Sequence, residues 1–581
     1  MPSILSLRSI LCSLLLAAAP LAFAQQPPAS TAARPQPEAP VSAATEAIAH
    51  GRLVLVLPFE NHTGQANLDW IGQAFPEIFN LRLGSAGFLP ISRVDRLYAL
   101  DHLGLPLNFE PTRASAVRLA QALDADYVVF GFYTTTGATL NTTAQVLDVT
   151  GLKLGTSLNE QADLTHLLDT VNSLAWKTTR QLDPSYAVAE QTFVAADGDL
   201  RLDAFENYVR GLTGESADER IRHLRDAVRL SPHFYPAWLA LGRAYFANQN
   251  YELAASTLGH LTKDDPNALE ADFYRGLSFF YTGRYMEAED AFAFDSTRLP
   301  LPEVVNNQGV AAARRGKDSA ALFQQAITAD PKDADYHFNL AVSLRRRGDI
   351  AGAVREIDQA AKLRPQDTEA ASLAAALHSQ EQNPGASTNS SSANPNVTNP
   401  NAANQVTATK VNASLTTAQS NASSNPLERV KRTYNEASFR QAAFEMEQVQ
   451  TMRLSALPPA EQAASLTKEG TQFFNRGLIL EAEREFHAAL TADPSSSAAH
   501  AGLAEVRERS SDLEAARQEA QKSLQLQPNV TAHLVLARMD LQANQLSSAS
   551  GEVSQALRIE PNNPNARGMK QALEQRGQQV P

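Results

Sequence analysis

Prolines recur at a fixed interval in two separate stretches of the sequence. Pro232, Pro266 and Pro300 stand 34 residues apart, Pro331 follows after 31, and Pro365 after a further 34. Farther on, Pro494, Pro528 and Pro561 are spaced 34 and 33. A period of this length describes a two-helix unit repeated along the chain, each unit burying its apolar side only against its neighbours. The residues between the prolines agree. Trp238-x2-Leu241-Gly242-x2-Tyr245 marks a first helix, and Ala254 falls where a second helix crosses it. The next unit supplies Gly276, Ala288 and Phe292, another Leu340, Gly348, Ala353 and Ala360, and the later set Gly470, Gly477, Ala482, Phe486 and Ala489. Small residues let two helices approach, large apolar ones fill the space between them, and proline stops the second helix.

These residues at this period resemble the tetratricopeptide repeat (TPR). The resemblance covers 200–381 and 463–575 and implies two all-α solenoid arrays of at least three units each, long enough to fold independently. Two departures stand out. The unit ending at Pro331 is three residues short, and the unit ending at Pro528 has Arg507 and Ser511 where an aromatic residue and a glycine are usual.

Residues 51–190 read as a mixed α/β domain. Leu53 to Leu57 is a run of Val and Leu closed by Pro58, the mark of a buried strand. Asp69 opens a helical stretch through Leu83 that Pro76 is expected to kink or restart. Short strands are expected near Phe88–Val94, Tyr127–Tyr133 and Leu140–Val149, with helices over Arg113–Leu123 and Ala162–Leu182. The phrase Val54-Leu55-Val56-Leu57-Pro58-Phe59-Glu60-Asn61, followed by Trp70-Ile71-Gly72, is similar to the N-terminal domain of TolB and its relatives. Asp124-Ala125-Asp126-Tyr127-Val128-Val129-Phe130-Gly131 and Gln145-Val146-Leu147-Asp148-Val149-Thr150-Gly151 add to that resemblance. It implies a bacterial envelope protein, without the blade-length repeats of a propeller.

The remaining segments are punctuation. Residues 1–24 have the form of a signal peptide: Arg8, the apolar run Ile10–Ala19, and Ala22-Phe23-Ala24 before Gln25. An exported protein, periplasmic or secreted, is therefore expected. Its apolar core is too short to span a membrane, and no transmembrane segment is expected in the mature chain. Cys12, the only cysteine, lies in that leader without the small preceding residue of a lipid-attachment site, so the mature chain has no thiol for disulfides or metal. Residues 25–50 form a Pro/Ala/Gln-rich leader. Residues 383–426 are almost wholly Asn, Ser, Thr, Ala, Gln and Pro, with Lys410 the only charge, and read as a disordered linker reaching roughly 35 Å. Residues 428–462 are expected to form a helical cap on the second array.

Function is then a matter of exclusion and of surface. The formal net charge of −13 disfavours sequence-independent nucleic-acid binding, which needs surplus Lys and Arg. No zincin, nucleophile-elbow, Walker or dinucleotide motif is present, and the 12 histidines show no metal-ligand spacing. The chain is expected to be no enzyme and to use no cofactor or metal. Carrying the repeat positions over, the first-helix face places Leu239, Arg243, Phe246, Phe273, Leu277, Phe280, Tyr281, Phe338, Val342 and Arg345 along a partner groove. Phe273 and Phe280 suit packing between helices equally well. The partners expected are other envelope proteins or peptides, and the oligomeric state is left open. The principal alternative is a small-ligand or glycan receptor in residues 51–190 with the repeats as relay.

Overall fold

The computed structural model describes residues 53–106, 112–263, 265–382, 426–435 and 448–581. The segments read from sequence as a signal peptide, a 25–50 leader and, up to residue 425, a linker lie outside them.

The N-terminal region is a three-layer α/β unit. Strand β1 (Leu53–Val56) lies between β3 (Leu89–Pro90) and β4 (Tyr127–Thr136), parallel to both. β4 turns into β5 (Thr139–Asp148), whose outer edge takes β6 (Lys153–Leu154) and β7 (Leu158–Asp163), all antiparallel; β2 (Glu60–Asn61) extends the β4 edge. The Val/Leu run alternates across the sheet, as strand geometry requires. Val54 and Val56 meet helices α1 (Asp69–Ser85) and α4 (Leu167–Leu182). Leu55 and Leu57 meet α2 (Arg93–His102) and α3 (Arg113–Ala122) on the other face.

Three local expectations are corrected. The restart expected at Pro76 does not occur, since α1 runs without interruption from Asp69 to Ser85. Proline leaves the carbonyl of Gly72 without its helical donor, and the Phe59 amide donates to that oxygen at 3.0 Å. Only glycine permits this approach, since a Cβ at position 72 would lie 2.3 Å from the Phe59 carbonyl oxygen. The strand near Phe88–Val94 shrinks to Leu89–Pro90 because the Ser92 hydroxyl accepts from the Asp95 amide and starts α2 at Arg93. The helix expected from Ala162 begins at Leu167, and residues 158–163 form the edge strand β7, paired to β5 over six residues. Its alternation Leu158-x-Glu160-x-Ala162 is too polar to stand out as a strand.

After α5 (Glu190–Ala195) the chain is helical hairpins. The first array pairs α6 (Leu202–Thr213) with α7 (Ala217–Leu230), α8 (Tyr235–Ala247) with α9 (Tyr251–Leu258), and α10 (Ala268–Tyr281) with α11 (Tyr285–Arg298). It continues with α12 (Pro302–Arg314) on α13 (Ala320–Ala329), α14 (Ala334–Arg347) on α15 (Ile350–Leu363), and closes with α16 (Thr368–Gln382). The second array pairs α17 (Pro459–Asn475) with α18 (Ile479–Ala492), α19 (Ser497–Arg509) with α20 (Leu513–Leu526), and α21 (Val530–Gln542) with α22 (Leu546–Ile559), ending in α23 (Pro564–Gln575).

The turn inside most of the hairpins carries a residue in the left-handed region. Gly283, Gly316, Gly348 and Gly477 supply it in four units, with φ of 78°, 76°, 84° and 82°. Gln249, Ser511 and Asn544 hold the same conformation, with φ of 60°, 63° and 57°, in three units without a glycine there. A Cβ is strained there, so Ser511→Gly is expected to stabilise the second array by about 0.5–1 kcal/mol, less than the full strain because glycine also loosens the unfolded chain. Urea unfolding followed by circular dichroism checks this, and an unchanged or lower midpoint would contradict it.

The arrays are not separate bodies. Phe205, Val209, Leu224 and Leu241 of the first array share one continuous core with Phe75 and Leu174 of the α/β unit, and Leu480 of α18 enters the same core. α18 docks beside α5 through polar contacts as well. The Glu483 carboxylate, fully buried, accepts from the Ala189 amide at 2.9 Å and from the Thr192 hydroxyl, and pairs with Arg507 at 2.6 Å. Arg484 donates to the Ser85 carbonyl at 3.0 Å.

Residues 428–435, expected to begin a helical cap, are extended, and residues 448–455 are helical. The residues between them, 436–447, are outside the described set. The extended stretch is held by the first array.

Candidate functional site

The inner helices of the first array carry three fully buried asparagines, Asn306 and Asn307 on α12 and Asn339 on α14. A buried amide is costly unless all of its polar atoms find partners. The backbone of residues 429–431 provides them. The Asn339 amide accepts from the Arg429 N–H at 2.7 Å and donates to the Arg429 carbonyl at 2.8 Å. Asn307 treats Lys431 in the same way, at 2.7 and 2.8 Å. Asn306 donates to the Arg429 carbonyl at 3.1 Å and accepts from Asn339 at 2.7 Å. Two amides thus bond both polar groups of alternate residues, a pattern that only an extended chain satisfies.

Side chains add charge and apolar contact to this clamp. Glu428, 3% exposed, pairs with Arg314 at 3.0 Å and with Arg346. Arg429 meets Asp335 at 3.1 Å, Asp367 at 2.5 Å and Glu369 at 2.7 Å, and its guanidinium lies 3.7 Å from the centre of the Phe338 ring. Lys431 reaches both Asp333 and Asp335 at 2.6 Å. Val430 packs against the cluster containing Val305, Tyr336 and Leu340. Tyr434 stands edge-on to Phe273 with ring centres 5.0 Å apart, and Arg432 lies over Phe246 and Tyr281.

The charge pattern fixes how this contact responds to acid. Burial works to raise the Asp335 carboxyl, but hydrogen bonds from Arg364 and Lys431 outweigh it and hold the group well below the usual range. The bond from Arg429 lowers Asp367 as well. Releasing 428–434 leaves Asp335 its bond from Arg364 but removes those from Lys431 and Arg429, and takes Arg429 from Asp367, so both carboxyls rise toward the ordinary value of about 3.9 and docking loses stability as pH falls below it. Docking of 428–434 is therefore expected to hold from neutral pH to about pH 4 and to weaken below it. Hydrogen exchange at the Arg429 and Lys431 amides reads this, and release between pH 5 and 7 would contradict it.

Comparison with known proteins places these helices. A profile of the tetratricopeptide repeat matches residues 307–368 and 467–531, and a second profile of the same description matches 216–273. The chain carries tetratricopeptide repeats. Human tetratricopeptide repeat protein 36 is 37% identical over 79 residues, which are 13% of this chain and 42% of that protein. The chain therefore spans less than half the length of that curated relative. Among solved structures, MamA is 16% identical over 28% of this chain and 96% of its own, with a TM-score of 0.26. YrrB, whose structure is titled a TPR protein with an unusual peptide-binding site, is 16% identical over 34% of this chain and 100% of its own, with a TM-score of 0.28. At those scores the likeness carries no weight for this chain.

Within the first TPR array the residues singled out from sequence fall into two groups. Phe246, Phe273, Phe280, Tyr281 and Phe338 line the surface occupied by the extended segment. Leu239, Leu277 and Val342 are buried between helices instead, Leu239 against Leu258 and Ala271, Leu277 with Phe292, and Val342 with Ala353. A first helix presents one side to its own hairpin partner, and these positions lie on that side. Arg243 pairs with Glu270 at 2.6 Å, and Arg345 is half-buried in the last turn of α14. Sequence reasoning missed Asn306, Asn307, Asn339, Arg314 and the acidic group around Asp335. One signal was available: Asn306 and Asn339 are 33 residues apart, about one TPR period.

Proposed function

We propose that the chain is an exported adaptor of the bacterial cell envelope, a binder rather than a catalyst, whose TPR arrays hold partner proteins while the TolB-like α/β unit docks to an envelope component. The observation that carries this reading is the inner face of the first array, where buried amides grip an extended backbone and flanking charges read its side chains. That is the chemistry of peptide recognition by main-chain hydrogen bonding. The signal-like leader supports export, and the phrases around Val54, Asp124 and Gln145 support the envelope setting.

Cross-linking in intact bacterial cells tests it, comparing the full chain with an Asn306→Ala/Asn339→Ala variant after separation of periplasm from cytoplasm. A defined partner set, found in the periplasmic fraction and reduced in the variant, is the expected result. Retention of the chain in the cytoplasm, or a partner set indifferent to the variant and to removal of 202–382, would defeat the reading.

A further inference from the structure

We propose that the inner groove of the first array is a receptor for an extended basic peptide of another protein, and that residues 428–434 occupy it in cis until such a peptide displaces them. This rests on the reading of the arrays as protein-binding surfaces and names the partner chemistry: a Glu-Arg-x-Lys-Arg-like stretch with an aromatic residue near its end.

The nature of the contact supports exchange over a permanent brace. The occupant has no regular secondary structure, and its apolar anchors are confined to Val430 and Tyr434. The remainder is backbone clamping and charge pairing. Main-chain contacts through Asn306, Asn307 and Asn339 are indifferent to side-chain identity, so any extended chain can use them. Selectivity then comes from the pockets. Arg314 and Arg346 donate to one carboxylate, and Asp333, Asp335, Asp367 and Glu369 bind two cations, spaced as Arg429 and Lys431 are. An occupant that leaves these buried charges unpaired is strongly disfavoured, so the pairs discriminate between peptides. A nucleic acid is excluded by the same carboxylates, which would repel its phosphates.

Tethering sets the threshold. Only 43 residues separate Gln382 from Pro426, and a tethered occupant competes at an effective concentration on the order of millimolar. A displacing peptide must therefore be abundant or must make contacts beyond those of the cis segment, for example with the adjoining aromatic surface at Phe246 and Tyr281.

The test uses a fluorescein-labelled synthetic peptide of the sequence Leu427–Asn435 and the full chain. In fluorescence anisotropy, a Glu428→Ala/Arg429→Ala chain, whose own segment has lost its anchors, is expected to bind the peptide at least ten-fold more tightly than wild type. Adding Asn306→Ala/Asn339→Ala should abolish that binding, and a peptide with Glu at the Arg and Lys positions should not bind. Equal weak binding by the opened and wild-type chains, or equal binding of the charge-reversed peptide, overturns the proposal. Should the opened variant misfold, wild-type chain labelled at Thr433→Cys in a Cys12→Ser background gives the second reading. Millimolar unlabelled peptide is expected to free the label, and no change in its anisotropy overturns the proposal. Failure of the adaptor reading looks different, as a cross-linked set indifferent to the array, whereas failure here leaves that set intact while the peptide does not bind.

Discussion

Replacing Asp295 by Asn should abolish a pH-dependent loss of first-array stability that reaches about 4 kcal/mol at pH 7 and about 1–2 kcal/mol at pH 5, less the cost of burying an amide without partners. Asp295 sits on α11, 3% exposed, and neither carboxylate oxygen has a hydrogen-bond partner among the described residues. Burial, and then the neighbouring Asp272, push its carboxyl up to about 9, against a partial opposing pull from Arg298. The sign follows from which state holds the proton. Below about pH 4 the group is protonated both folded and unfolded, and nothing is lost. Between that value and about 9 the unfolded chain ionises while the folded one keeps its proton, so stability falls as pH rises. The effect levels off above about 9. An Asn side chain has no proton to hold and removes the slope. Thermal unfolding of both chains from pH 4 to 8 is the measurement. Two melting curves that stay parallel across that range would show that Asp295 does not carry the proton assigned to it.

The second large effect is expected where the second array docks beside α5. Glu483→Ala removes the carboxylate that satisfies the Ala189 amide, the Thr192 hydroxyl and Arg507 at one buried point. Removing one member of a buried pair typically costs about 3–5 kcal/mol, and the longer contact of Arg507 with Asp512 at 3.8 Å places the expected loss at the lower end. The loss should be local: the second array loosens from α5 while its own hairpins persist. Hydrogen exchange should then rise at the amides around Ala189 and change little within α21 and α22. A companion Glu483→Ala/Arg507→Leu chain, which removes both charges, should recover part of the loss. If the single variant exchanges like wild type around Ala189, the docking does not depend on this carboxylate.

Arg507 also shows where sequence reading succeeded and where it stopped. The proline period and the small residues at helix crossings reveal most of the hairpins, because stacking imposes the same demand on every unit. The same comparison marks Arg507 and Ser511 as departures without giving a reason for them. In the structure Arg507 departs because it serves an interface outside its own repeat, and Ser511 simply tolerates a glycine's conformation. Strand β1 was legible because both its faces are buried; edge strand β7 was not, since its outward side chains are polar. The continuity of α1 through Pro76 depends on a donor from Phe59, 17 residues earlier in the loop between β1 and β2. The groove was legible in its aromatic half only. Its asparagines have meaning only once a backbone lies against them, and residues 428–434 have no periodicity that would announce an ordered segment. Their order comes from partners 60 to 186 positions away.

The docking of α18 on the α/β unit, together with the hold of the first array on residues 428–434, returns the back half of the chain to its front half at two places. Lys410 is the only tryptic site between Gln382 and Pro426. Cleavage there turns one polypeptide into two, yet it severs neither attachment. The pieces should therefore elute together as a nicked heterodimer, and separately expressed halves divided at Lys410 should find each other and assemble, which makes this chain a natural candidate for a split protein.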